Sequence, residues 1–153
     1  MQGKYGYKHN GRVVIPAKFD NTWCFGNGLA PVKIDDKWGV IDKNGILVIP
    51  AKYEDAWYFT EGLAPVKING KWGFIDTKDH FVIPPIFEDA WNFGEGLAPV
   101  KTNGKWGFID PSGKFVLQPI YDEPVGQTFF NGKAKVKLNG REFYIDRDGN
   151  EVQ

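Results

Sequence analysis

The chain has 153 residues, 42% of them hydrophobic and 16% aromatic, and its 19 basic residues balance 19 acidic ones. That balance leaves no electrostatic excess to grip a phosphate backbone, and no apolar run approaches the roughly 20 residues of a membrane-spanning helix, so neither nucleic-acid binding nor membrane insertion is expected. The single cysteine, Cys24, excludes an internal disulfide and leaves the core to hold without cross-links.

In chain order, residues 1–11 are too polar for a signal peptide. Lys4-Tyr5-Gly6 matches the middle of a unit that recurs downstream, so the sequence is expected to be a fragment or a processed form of a longer protein. The unit itself is plain: Gly-Leu-Ala-Pro-Val-Lys begins at Gly28, Gly62 and Gly96, a period of 34 residues. The reading is a partial leading repeat (1–27), full repeats at 28–61, 62–95 and 96–131, and a C-terminal repeat at 132–153. The last copy begins two residues late, at Gly132, and the leading copy runs one residue short near Lys8.

Within each copy, Val66-Lys67-Ile68 and Lys71-Trp72-Gly73-Phe74-Ile75 are predicted strands joined by Asn69-Gly70, a pair suited to a type I′ turn because both residues tolerate positive φ. Asn103-Gly104 and Asn139-Gly140 repeat it, whereas Asp35-Asp36 predicts a looser or differently wound tip. A second turn follows each Ile-Asp, with glycine at Gly45, Gly113 and Gly149 and Asp79 standing in once. A third strand is predicted through 46–50, 81–84 and 115–118, and its prolines mark it as an edge or a terminus.

Closing the hairpin at Asp35-Asp36 fixes its two faces. Ala30, Val32, Ile34, Gly39 and Ile41 lie on one, Leu29, Pro31, Lys33, Trp38 and Val40 on the other. Both are largely apolar, so each module needs cover on both sides from its neighbours. In the last copy Leu29, Pro31 and Trp38 become Lys133, Lys135 and Glu142 while the opposite face stays apolar, the pattern of a terminal capping repeat. No comparable polar cap is read at the leading end. Gly39, Gly73 and Gly107, next to Trp38, Trp72 and Trp106, are expected to make room for an aromatic ring of a neighbouring module.

The unit running from Glu61-Gly62-Leu63-Ala64-Pro65-Val66-Lys67 through Gly70-Lys71-Trp72-Gly73-Phe74-Ile75-Asp76 to Val82-Ile83-Pro84 resembles the WG (KWG) β-repeat family of bacterial proteins. The resemblance covers nearly all of residues 4–152. It implies a repeat protein, often one part of a larger polypeptide, with no established catalytic activity.

The residues offer little chemistry of their own. The carboxylate pairs Glu54-Asp55, Glu88-Asp89 and Asp122-Glu123 recur at one loop position, which suits turn solvation better than acid-base catalysis or calcium binding. His9 and His80 have no partner at metal-ligand spacing, and Ser112 lies in a turn, so no metal centre, nucleophile or cofactor site is expected. The remaining lead is aromatic. Trp23, Trp57 and Trp91 lie between modules and are the candidate binding residues, whereas Trp38-Gly39, Trp72-Gly73 and Trp106-Gly107 are read as structural.

The expectation is therefore an all-β array of three-stranded antiparallel repeats, elongated or superhelical, with a small propeller as the alternative. The expected function is a non-catalytic scaffold with a protein partner, and the rival is a glycan or cell-wall ligand held by the repeated aromatics. A soluble chain is expected, with secretion or association with the cell envelope left open.

Overall fold

The computed structural model describes residues 3–126 and 128–153, and every regular element among them is a β-strand. A leading hairpin pairs β1 (Tyr5–His9) with β2 (Arg12–Phe19). The first full sheet holds β3 (Asn21–Thr22), β4 (Leu29–Ile34), β5 (Lys37–Asp42) and β6 (Leu47–Tyr53). The second holds β7 (Asp55–Ala56), β8 (Ala64–Ile68), β9 (Lys71–Ile75) and β10 (Phe81–Phe87), and the third β11 (Asp89–Ala90), β12 (Ala98–Thr102), β13 (Lys105–Ile109) and β14 (Phe115–Tyr121). The last holds β15 (Glu123–Pro124), β16 (Ala134–Leu138), β17 (Arg141–Ile145) and β18 (Glu151–Val152). Each is an antiparallel meander in chain order, so the three strands expected per module gain a fourth of two residues. The first full sheet accordingly begins at Asn21, ahead of the repeated glycine Gly28.

The tight turns explain the registers. Asn69 and Gly70 both have positive φ, 51° and 78°, as the type I′ turn requires. Asp35 and Asp36 adopt the same winding, at 50° and 71°, which corrects the expected looser tip. The Asp20 carboxylate receives the Asp35 N–H at 2.9 Å, and aspartate is among the residues least penalised in this region. In the leading hairpin the missing residue is lost from the second turn, where Asn10-Gly11 makes a two-residue connection between β1 and β2. In the other sheets Asp42, Asp76, Asp110 and Asp146 each accept two backbone N–H groups across a longer turn.

The role expected for the Trp-Gly glycines needs correction. A Cβ on Gly73 would lie 2.7 Å from the Ile83 carbonyl oxygen and 2.7 Å from the Pro85 nitrogen. Gly39 and Gly107 meet the equivalent backbone of β6 and β14, and Gly6 that of β2. The space is taken by the sheet's own last strand. Between Trp38↔Tyr53 and Val40↔Ile49 that strand carries two extra residues, and this bulge crosses directly over the glycine. Pro50, Pro84, Pro85 and Pro119 lie in these bulged edge strands, where a missing N–H costs no ladder bond. In the last sheet β18 pairs only with Tyr144 and Ile145, so the glycine position can hold Phe143.

Packing follows the two faces read from the hairpin. Ala30, Val32 and Ile41 join Ile15 and Phe19 of the leading hairpin, so the first face of a sheet meets the sheet before it. Trp38, Val40, Ile49 and Tyr53 join Phe59, Ala64, Val66 and Ile75, so the second face meets the sheet after it. The next two interfaces repeat this arrangement. The rings between modules fill these interfaces rather than the glycine gaps: Phe93 meets Phe74 edge-on with centroids 5.0 Å apart, and Phe129 meets Phe108 at 5.1 Å. Trp38, Trp72 and Trp106 are buried.

Both ends turn polar groups outward. Glu142 is exposed, Lys133 and Lys135 are half-buried, and their ammonium groups lie 4.4 and 5.8 Å from the centre of the Tyr144 ring. At the leading end Lys8 is exposed at the position held by the buried Ile41, Ile75, Ile109 and Ile145. The outward faces of the first and last sheets do not meet among the described residues, with Lys8 and Tyr144 exposed. The fold is an open all-β repeat array, and no described helix is long and apolar enough to cross a membrane.

Candidate functional site

Each short first strand delivers a tryptophan to the same end of its sheet. The backbone N–H groups of Trp23, Trp57 and Trp91 donate to Pro31, Pro65 and Pro99 at 2.9 to 3.0 Å, which extends the pairing of β3, β7 and β11 by one residue. All three rings are half-buried, unlike Trp38, Trp72 and Trp106. The Trp23 indole donates to the Ala56 carbonyl at 2.7 Å and stacks on Trp57 with centroids 5.1 Å apart, while Trp91 stands edge-on to Trp106 at 5.7 Å.

The connecting loops that follow hold a device that sequence reading missed. Asn27-Gly28, Glu61-Gly62, Glu95-Gly96 and Asn131-Gly132 are all tight turns with both residues at positive φ. The side chain of the first residue in the first three of these turns reaches the next module: Asn27 Oδ1 accepts Gly62 N–H at 3.0 Å, Glu61 Oε1 accepts Gly96 N–H at 3.0 Å, and Glu95 Oε1 accepts Gly132 N–H at 2.8 Å. The signal was present as Asn-Gly or Glu-Gly just ahead of the second strand of each full sheet, but nothing local says that a side chain bonds some 35 residues onward. Just before these turns, a Cβ on Gly26 would lie 2.0 Å from the Phe59 carbonyl oxygen, and one on Gly94 2.2 Å from Thr128. The last copy has Phe130 there, 59% exposed.

This loop end encloses a recess of about 300 Å³ between successive modules. Trp57, Tyr58 and Thr60 line it from one module, Trp91 and Asn92 from the next, and Thr128 and Phe130 from the last. Asn92 Nδ2 donates to the Tyr58 carbonyl at 2.5 Å, which fixes the amide in the wall. Thr60 Oγ1 is buried and has no hydrogen-bond partner. The recess thus brings together Trp57 and Trp91 of the three candidate tryptophans, while Trp23 lies behind Trp57 as its stacking partner.

The carboxylates have structural work instead. Glu54 and Glu88 accept the N–H groups of Gly70 and Gly104 at 3.2 and 3.3 Å, and Asp122 accepts that of Asn139 at 2.7 Å, so each one caps a hairpin tip of its own sheet. Burial pushes the Asp89 carboxyl above its ordinary value, with Lys101 and Lys67 pulling it back. The described residues contain no cluster of His, Cys, Asp and Glu able to hold a metal ion. Ser112 donates to Asp110 at 2.6 Å within its own turn, and His80 is exposed beside Asp76. Asp79, the one non-glycine in its turn series, ties two modules together: its carboxylate accepts the Tyr53 hydroxyl and the Lys52 ammonium group. Burial and that carboxylate raise the Tyr53 pKa above the ordinary phenol range, and burial takes Tyr7 up to about 12.

No curated protein sequence matches the chain. Among solved structures, "KlHsv2 with loop 6CD replaced by a Gly-Ser linker" is similar, with a TM-score of 0.53 and 8% identity. The match covers 81% of this chain and 46% of that one, a likeness of fold alone. The sequence pattern described as "WG containing repeat" matches residues 7–38, 38–72, 72–106 and 106–141, running from one Trp-Gly hairpin to the next. With four tandem matches over most of its length, the chain belongs to the WG repeat family.

Proposed function

We propose that the array is a non-catalytic scaffold that holds a segment of another protein at the loop end of its modules. The observation that carries this reading is the recess shared by three successive modules, with aromatic walls and the unpaired Thr60 hydroxyl. Aromatic walls gain most from apolar or planar groups, and one buried hydroxyl favours a ligand with a polar atom to meet it. The volume suits one or two side chains of an extended segment.

A photo-crosslinker placed at Phe130, which is exposed at the rim, tests this in lysate of the producing cells. A crosslinked protein band that disappears in Trp57→Ala and Trp91→Ala variants of unchanged circular dichroism is the expected result. A band unaffected by either variant overturns the reading. The half-exposed tryptophans also favour a glycan as a second reading. Titration with cell-wall fragments and soluble sugars, read by intrinsic tryptophan fluorescence, tests it, and an unchanged spectrum at millimolar ligand counts against it.

A further inference from the structure

Trp23 shows what the loop end accepts between two modules. Its ring stacks on Trp57 at 5.1 Å, lies 5.8 Å from Tyr58, and gives its indole N–H to the Ala56 carbonyl at 2.7 Å. One planar group with a donor on its edge thus closes the first step of the array. The next step is open. Trp91 turns edge-on to Trp106 of its own sheet, no stacked pair joins it to Trp57 among the described residues, and the recess of about 300 Å³ is lined by both. A planar ligand there would make the contact that Trp23 makes one module earlier.

The polar atoms of the recess call for donors. Asn92 Nδ2 is committed to the Tyr58 carbonyl at 2.5 Å, which assigns the other amide atom as oxygen, an acceptor only. Thr60 Oγ1 is buried without a hydrogen-bond partner, and a hydroxyl oxygen can accept as well as donate. None of the described lining residues is charged. Glu61 follows Thr60 and Glu95 follows Gly94, both exposed, and Oε1 of each accepts a glycine N–H. Arg147 bonds the Glu95 carbonyl and is not among the lining residues. A cation in the recess therefore meets aromatic rings within and carboxylates at the turns beside it.

We infer that the recess seats an arginine side chain of the bound segment, its guanidinium plane against the Trp57 and Trp91 rings and its N–H groups donating to Thr60 Oγ1 and the Asn92 amide oxygen. The inference rests on the reading of this recess as a site for a protein segment. Guanidinium joins a plane, a permanent charge and five donors in one group. Lysine lacks the plane, and leucine would leave Thr60 unpaired.

The test titrates the whole chain, labelled with nitrogen-15, with N-acetyl-Gly-Arg-Gly-amide and its lysine, citrulline and leucine counterparts, following the indole N–H signals of Trp57 and Trp91. The arginine peptide should move both signals at millimolar concentration, and the lysine peptide should bind about five-fold more weakly or worse. Citrulline, which keeps the plane and loses the charge, should also fall behind arginine. Thr60→Val should weaken the arginine peptide about three-fold or more and leave the leucine peptide unchanged, whereas Thr60→Ser should retain binding. Equal shifts from arginine, lysine and leucine overturn the inference, as does an arginine titration that Thr60→Val leaves unaltered. If no arginine shift appears while the Phe130 crosslink still depends on Trp57 and Trp91, the inference fails and the scaffold reading stands. A crosslink indifferent to both tryptophans removes the protein segment and the inference together.

Discussion

The second and last sheets put different residues at the same places, and the difference shows what stacking demands. In the second sheet Trp72 and Gly73 are buried between a following module and the bulge of β10. In the last sheet the equivalents are Glu142, exposed, and Phe143, half-buried, and among the described residues no bulged strand crosses above them and no sheet packs against the outer face. Tryptophan is therefore a requirement of the interface and glycine a requirement of the bulge, and the last sheet shows that the Trp-Gly pair separates into these two causes.

Trp72→Ala should show the largest effect, a loss of about 3–5 kcal/mol by urea unfolding, because it opens a cavity in a packed interface. Glu142→Ala should stay within about 0.5 kcal/mol, and an equal loss at both sites would break the comparison. Gly73→Ala should cost about 3 kcal/mol through displaced backbone of β10. Phe143→Ala should cost about 1–2 kcal/mol, only the ring's share of packing.

Restoring the interior residues at the end face, with Lys133→Leu, Lys135→Pro and Glu142→Trp together, should leave the fold intact and cause concentration-dependent self-association in sedimentation velocity. A monomer at all concentrations would refute the capping role of these residues. A smaller effect is expected in the loop ladder. Glu61→Ala removes the acceptor for Gly96 N–H and should cost about 1 kcal/mol, whereas Asn131→Gly, in the last turn of that series, should cost nothing measurable.

Acid should act on interior and terminal sheets alike, since the turn aspartates are shared. The His80 N–H holds Asp76 below the ordinary carboxylate range, the Ser112 hydroxyl does so for Asp110, and the Asn150 N–H for Asp146. Their folded-state pKa values lie below the unfolded ones, so their contribution is complete above the unfolded value of about 4 and is lost as pH falls through the lower folded values. The urea midpoint should hold level between about pH 7 and 5 and decline below about 4. A decline that begins near neutrality would point to other groups.

Much of this was legible because repetition multiplies a weak local signal. The register Lys33↔Trp38, the buried identity of Ala30 and Val40, and the charged outer face at Lys133 and Glu142 follow from alternation about a tight turn. Asp35-Asp36 was misread because turn propensity concerns isolated residues, whereas the Asp20 carboxylate holds this tip from fifteen residues away. The candidate site was half visible: Trp57 and Trp91 carried the periodic aromatic signal, but Thr60, Asn92 and Phe130 join them only across module boundaries.

By itself the sequence determined the period, the hairpins and the alternation of faces, because these rest on contacts between residues close along the chain. The tertiary structure alone decided which face meets the preceding sheet and why glycine follows tryptophan. Those depend on a strand folding back over its own sheet and on modules some 34 residues apart coming into contact, and such distances leave no local trace in the residues that bridge them.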